Sequence, residues 1–200
     1  MTMEARKLTV PYTYAFTDHL IREKRGASID FYRHDSFAKA IGYPLPIAHI
    51  SHTVSKRGTV RGLHFTDTPP GKSKYLYCPR GALLNMIVDL RIGSPIYGRY
   101  DVIRLDQDAI RGVFLPGGVG HAYIALADKT VLVEMCSTDD PDIEHTIYPL
   151  DPDLELPWPS AIEPILSEKE MNAPKLAEYE VPAKLPFYEE WVEYYESFLK

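Results

Sequence analysis

The chain is written in short apolar runs punctuated by Gly, Pro and Asp. Runs from Ala48 to Thr53, Thr59 to Phe65, Lys74 to Cys78, Ala82 to Leu90, Tyr97 to Leu105, Arg111 to Leu115, His121 to Leu126, Thr130 to Cys136 and Glu144 to Tyr148 all have strand length. Strands at that spacing, bounded by turn residues, predict an all-β sandwich or barrel. Helices belong to the margins. Asp35 to Ile41 reads as a short early helix, and Ser167 with Glu170 three residues later has capping-box spacing. Phe187, Trp191, Tyr194, Tyr195 and Phe198 recur at helical intervals and predict a C-terminal amphipathic helix, packed on the body or on a second subunit. The expected division is a barrel domain over residues 1–176 and a tether with this helix over 177–200, the Pro-bearing stretch Ala173 to Leu185 being the tether.

A few polar residues sit inside these runs. The stretch Thr130-Val-Leu-Val-Glu134-Met-Cys is apolar on both faces apart from Glu134, as in a strand covered on both sides. A carboxylate there needs a partner, a proton or a polar cavity, unless a bulge or strand end lets it reach solvent. In Thr59-Val-Arg61-Gly62-Leu-His64-Phe65, alternation puts Arg61 and His64 on opposite faces unless Gly62 supports a bulge that reunites them. Lys74 opens the next run, and Asn85 and Asp89 share one face of the run after it. A two-residue turn at Ala127-Asp128 would set His121 opposite Glu134, with Cβ atoms about 4.5–5.5 Å apart. A turn centred on Asp128-Lys129 would set Tyr123 there instead. The first register predicts a His–carboxylate pair on one wall of a barrel, either a functional pair or a buried salt bridge.

Composition narrows the partners. With 200 residues, 45% hydrophobic and 25% charged, the chain can bury one sizeable core. A net charge of -6 with no Lys/Arg cluster disfavours nucleic acid and anionic membranes, and an anionic small ligand would need a local positive patch. Cys78 and Cys136 lie far apart in apolar runs with no CxxC spacing and read as reduced core residues. The opening MTMEARKLTV lacks a signal-peptide core, and no apolar run approaches the ~18 residues of a membrane span, so a cytoplasmic location is expected.

Arg61-Gly-Leu-His64-Phe, the Lys74 to Cys78 segment, Val88-Asp89-Leu-Arg91 with Gly93-Ser94-Pro95 and Tyr97-Gly98, Leu115-Pro116 with His121, Asp151-Pro152, Trp158-Pro159 and Leu166-Ser167 fall in the order of one family. From about Arg25 to Leu176 the chain resembles dTDP-4-dehydrorhamnose 3,5-epimerase and the related sugar epimerases of antibiotic pathways. The resemblance implies a double-stranded β-helix of the cupin type, a homodimer, no cofactor and no metal. It implies a nucleotide-linked keto sugar as substrate, deprotonated beside its C4 ketone by a His paired to a carboxylate. A Lys stabilises the enolate and a Tyr returns the proton. On this chain the base maps to His64, the enolate-side cation to Lys74, a further family His to His121, and the diphosphate grip to Arg61, with Arg25 reaching a site across the dimer.

The departures from the pattern cluster in the same site. Glu134 stands where the family has its Tyr, Asn85 where it has an Asp, and Glu170 at the Asp expected after Leu-Ser-x-Lys. His49 and Ser51 replace a Gln and an Asn. Ala27-Ser28 and Asp139-Asp140 occupy positions where aromatic residues near the nucleotide base are expected. A phenol titrating at about 10 carries its proton at neutral pH, whereas a carboxyl titrating at about 4.3 does so only if its surroundings favour the neutral form. Three readings follow. The chain is a 4-keto sugar isomerase with altered regiochemistry or substrate; or a cupin recruited to other proton-transfer or cyclisation chemistry on a secondary-metabolite intermediate; or a metal enzyme with His64, His121 and Glu134 as two-His, one-carboxylate ligands.

Overall fold

Strands that are apolar on both faces need cover on both faces, and the layers that provide it are visible in the computed structural model, which describes residues 3–109, 111–179 and 185–198. The described strands are β1 (Glu4–Lys7), β2 (Tyr14–Thr17), β3 (Ile21–Glu23), β4 (Gly26–Ser28), β5 (His49–Ser55), β6 (Val60–Thr66), β7 (Lys74–Arg80), β8 (Ala82–Asp89), β9 (Tyr100–Asp106), β10 (Arg111–Leu115), β11 (Val119–Ala125), β12 (Thr130–Cys136) and β13 (Glu144–Thr146). They form a six-stranded sheet in the order β1-β2-β10-β7-β12-β5, a five-stranded sheet in the order β13-β6-β11-β8-β9, and the separate hairpin β3-β4. Every named pairing is antiparallel. Helices α1 (His34–Ile41), α2 (Glu168–Met171) and α3 (Tyr188–Glu196) lie at the margins.

Three layers of apolar side chains result. Between the sheets, Leu76 and Cys78 of β7 and Leu132 of β12 meet Leu83 and Ile87 of β8 and Tyr123 of β11. The outer face of the five-stranded sheet, with Leu63, Phe65, Met86 and Val88, is covered by Ile147, Leu154, Leu156 and Leu185 from the C-terminal third. On the outer face of the six-stranded sheet, Phe16, Tyr75 and Phe114 are covered by Met3, Phe37 of α1 and Leu45. Tyr123 spans the sandwich: its hydroxyl lies 3.0 Å from Thr53 Oγ1 and 3.2 Å from Ser55 Oγ, on the edge strand of the opposite sheet. The double-stranded β-helix expected from the resemblance is the observed architecture, and α3 packs on the barrel with Trp191 fully buried.

The nine strands expected from apolar runs are present, with ends shifted by a few residues. The run from Tyr97 yields a strand only from Tyr100, because Ser94 to Arg99 wraps in a turn around Asp89, where Gly98 N–H donates to the Asp89 carbonyl at 2.8 Å. β1 to β4 were not expected. Glu4–Lys7 and the hairpin strands are exposed throughout, so no apolar alternation marks them. Residues 180–184 of the expected tether lie outside the described residues.

Asp89 and Arg91 explain the Val88-Asp89-Leu-Arg91 signature. Both are fully buried; the guanidinium donates to Asp89 through Nε at 2.8 Å and Nη2 at 2.9 Å, and Ser94 Oγ donates to the same carboxylate at 2.7 Å. The outer side of the guanidinium lies 4.6 Å from the Trp191 ring centroid. Barrel and C-terminal helix are therefore joined through one buried ion pair. Arg91→Met strands Asp89 without its cation and is expected to destabilise the fold by about 3–5 kcal/mol in urea unfolding. A loss under about 1 kcal/mol, the range of an exposed pair, would refute this account.

Candidate active site

His64 reaches the space between the sheets because β6 is bulged. His121 pairs with His64 and Tyr123 with Arg61, so Gly62 and Leu63 of β6 oppose Ala122 alone of β11, and the bulge brings Arg61 and His64 to one face. Gly62 makes it feasible. Its φ is +114°, and a Cβ there would lie 2.5 Å from the His121 carbonyl oxygen. Arg61 nevertheless remains exposed at the rim, while the His64 side chain is only 20% exposed. The imidazole lies between two carboxylates, with Nε2 3.6 Å from Glu170 Oε1 and Nδ1 3.9 Å from Glu144 Oε1.

Glu170 serves the backbone and the imidazole together. Its Oε2 accepts from Ser167 N–H at 3.1 Å and from the Ser167 hydroxyl, completing the capping box that opens α2, while Oε1 faces His64. His64 first, and Ser167 after it, hold the Glu170 carboxyl down at about 2 against the desolvation that would raise it. The capping contact and the approach to His64 coexist in one carboxylate.

Lys74, buried at the start of β7, faces the same space from the other sheet. Its Nζ lies 3.6 Å from Glu144 Oε2. Burial pulls the ammonium toward its neutral form, but Glu134 and Glu144 oppose this and leave its pKa above the usual lysine value. Glu144 is the residue that the sequence reading missed. Besides His64 and Lys74, it has Lys72 Nζ at 3.9 Å and Lys169 Nζ at 3.8 Å. Burial works to raise its pKa, yet these cations, Lys74 foremost, keep it below the ordinary value. The available signal was the one that marked Glu134, a carboxylate in an apolar run, here at the run's first position where a solvated strand end is the easier explanation.

Glu134 lies in mid-strand, partly buried, with Leu76 and Ser51 as its cross-strand partners. Leu76 belongs to the inner core, so Glu134 faces inward, diagonal to Lys74. Its side chain makes no hydrogen bond or ion pair with the described residues, although its charge acts on Lys74. The bulge or strand end that would have carried it to solvent is absent at its position. Both predicted hairpin registers are wrong, however. β11 and β12 are consecutive but belong to different sheets, so neither His121 nor Tyr123 pairs with Glu134. The chain crosses between sheets after Ala125, which local turn rules cannot reveal.

His121 instead pairs with Ile87 and His64, and its Nε2 is 2.6 Å from Asn85 Oδ1. An amide oxygen only accepts, so Nε2 carries the proton. Burial above all, then Lys74 and His64, push the imidazole well below its ordinary pKa and keep it neutral. Asn85 is fully buried. His49 and Ser51 share the β5 face of Thr53 and Ser55, beside Cys136 and Glu134, with His49 exposed at the edge. Arg25 stands away from the cluster at the exposed β3-β4 hairpin, its Nε 2.9 Å from Glu23 Oε2. Cys78 and Cys136 are free and buried. Among the described residues no three His, Cys, Asp or Glu side chains gather as a metal ion requires; Asn85 engages His121, Glu170 faces His64, and Glu134 comes from the far wall. No helix among them is long and apolar enough to cross a membrane.

Two facing sheets closed around a histidine, a lysine and three carboxylates define a cupin-type barrel with an acid–base site. The model of the dTDP-4-dehydrorhamnose 3,5-epimerase family matches residues 7–178, and the chain belongs to that family. A dTDP-4-dehydro-6-deoxyglucose 3-epimerase of Streptomyces bikiniensis is 44% identical over 172 residues, 86% of this chain and 88% of the relative. The crystal structure of ChmJ, a 3'-monoepimerase from the same organism in complex with dTDP-quinovose, matches with a TM-score of 0.93 at 40% identity, covering 96% of this chain and 98% of its own. NovW, a 4-keto-6-deoxy sugar epimerase from the novobiocin cluster of Streptomyces spheroides, matches at 0.90 and 42% identity over 95% and 96% of the two chains.

The depressed Glu170 carboxyl has a consequence for acid stability. A carboxyl that titrates at about 2 in the fold and near 4.5 when unfolded stabilises the fold above the higher value and loses that contribution as pH falls through the lower. Glu170→Gln should therefore narrow the stability difference between pH 5 and about pH 2, followed as urea midpoints. An unchanged pH dependence would show that the Glu170 charge is not held by His64.

Proposed function

We propose that this chain is an epimerase of dTDP-linked 4-keto-6-deoxy sugars, working by proton removal beside the ketone. The observation that carries the reading is the placement of His64, backed by Glu170, on the inner face of one sheet and of a buried, charged Lys74 on the sheet that faces it. A C4 ketone acidifies the C–H bonds on either side of it. His64 takes that proton, Glu170 stabilises the imidazolium formed, and the electron pair moves to the ketone oxygen, where the Lys74 ammonium stabilises the enolate. Inversion requires the proton to return on the other face. Glu134 lies on the wall opposite His64, two residues along the sheet from Lys74, and in this reading it carries that proton in place of a phenol. His121, neutral and fixed by Asn85, offers Nδ1 as an acceptor for a sugar hydroxyl rather than a second positive charge.

The substrate class is supported by the relatives, whose named activities are on dTDP-4-keto sugars and which this chain covers nearly end to end. Lys72 and Lys169, close to Glu144 at the edge of the cavity, supply the positive patch that a diphosphate needs on a chain of net negative charge. Roles for Arg61 at the rim and for Arg25, delivered to a second copy in a homodimer, belong to the same proposal. The second reading, other proton-transfer or cyclisation chemistry without a nucleotide, is favoured by one feature. The exposed Ala27-Ser28 and Asp139-Asp140 offer no aromatic face to a base. Measuring dTDP binding separates the two.

In D2O the protein should incorporate deuterium beside the ketone of dTDP-4-keto-6-deoxyglucose, read by mass spectrometry and NMR. His64→Asn should abolish exchange with little change in melting temperature, and Lys74→Met should abolish it as well. Glu134→Gln, which keeps shape but not the titrating proton, should lower turnover by about 100-fold or more. Exchange at the parental rate in His64→Asn would remove it as the base. Parental turnover in Glu134→Gln would remove Glu134 from proton transfer.

A further inference from the structure

The last turn of α3 reaches the segment that precedes Lys74. Tyr195 is 5% exposed; its hydroxyl accepts a hydrogen bond from Gly117 N–H at 3.1 Å and shares a second, in which either hydroxyl can donate, with Ser73 Oγ at 2.7 Å. Ser73 and Gly117 meet at the end of the barrel where the chain passes from the six-stranded to the five-stranded sheet. Ser73 immediately precedes Lys74 in the six-stranded sheet, whereas Gly117 lies in the turn leading into β11, which carries His121. From Ser73 the link continues: its N–H donates to Ser137 Oγ at 2.9 Å and its carbonyl accepts from Ser137 N–H at 3.0 Å, directly after Cys136 of β12. One residue earlier, Lys72 N–H donates at 3.0 Å to the Thr66 hydroxyl, in the last residue of β6. The strands joined at this rim are those that carry Lys74, His121, Glu134 and His64.

We infer that Tyr195 is a positioning residue for the acid–base site, so that the C-terminal helix completes the site by fixing the Lys74 end of β7 against the turn that leads to His121. A helix that served stability alone would need only its apolar side, which Trp191 supplies against Arg91 and Tyr12. The Tyr195 hydroxyl instead ties Ser73, the residue before Lys74, to the turn by which the chain leaves β10, whose Leu115 pairs with Lys74, for β11, which carries His121. Deleting that oxygen leaves the ring packing intact and lets the Ser73–Lys74 corner move relative to the Gly117 turn. The kinetic side of this inference rests on the proposed epimerase reading; the geometric side does not.

The test compares Tyr195→Phe, Ser73→Ala and the double variant by two readouts. The first is solvent-deuterium exchange on dTDP-4-keto-6-deoxyglucose. The single variants should lose about 10- to 100-fold in kcat with KM and melting temperature near parental, as expected for a small misplacement of reacting groups, and the double variant should lose no more than either. The second is NMR of the substrate-free protein, in which the Lys74 side-chain and His121 ring resonances should shift in both single variants. This readout stands even if the parental protein exchanges nothing, an outcome that would sink the epimerase reading alone. If Tyr195→Phe does not fold, Ser73→Ala, which keeps the Gly117 bond, carries both readouts. Parental kcat, a loss that tracks melting temperature, additive losses in the double variant, or unmoved Lys74 and His121 resonances would overturn the inference.

Discussion

An ammonium group can persist inside a β-sandwich only where carboxylates answer it, and the Lys74 cluster shows what that demands of the surrounding chain. Desolvation of a lone buried cation is far more unfavourable than any single contact can offset. Glu144 must therefore arrive from the edge of the opposite sheet and Glu134 from the neighbouring strand. Their charges in turn draw Lys72, Lys169 and His64 around Glu144. The sheets cannot slide or separate at this end without leaving one of these groups unanswered. The other parts of the inner core, with Leu76, Leu83 and Leu132, have no such requirement and pack as an ordinary apolar layer.

The same constraint accounts for how much was legible in the chain. Apolar runs announced strands, and β5 to β13 follow them; β7, β8, β10 and β11 have a core layer on either side, whereas β5, β9 and β13 lie at sheet edges. β1, β3 and β4 carried no such mark, since exposed residues such as Glu4–Lys7 take their conformation from a neighbouring strand rather than from burial, and β2 has only Ala15 and Phe16 in the core. Gly62 and the Ser167–Glu170 spacing were readable locally: one is a backbone requirement and the other a short-range hydrogen-bond pattern.

Long-range placement was less accessible. Asp128 and its neighbours have the look of a hairpin turn, yet β11 and β12 part company into different sheets, and the pairing of His121 with Glu134 dissolves with them. What replaces it is more useful chemically, because His121 is held by Asn85 and Glu134 is left unpaired beside Lys74. Glu144 escaped notice because a carboxylate at the first residue of a run looks the same in sequence whether it meets water or three lysines. Its environment exists only once β13 is laid on the edge of β6.

The division of the site between two sheets carries a stereochemical meaning. In the proposed reaction, a carbon held between the walls would present one face to β6 and the other to β12, so the sheet to which a residue belongs would specify the side from which it gives or takes a proton. The donor position could then change, from phenol to carboxyl for instance, without disturbing the strand proposed to carry the base. In a barrel of this kind the acidity of the donor and the handedness of the product are independent variables, one written in a single side chain and the other in the topology.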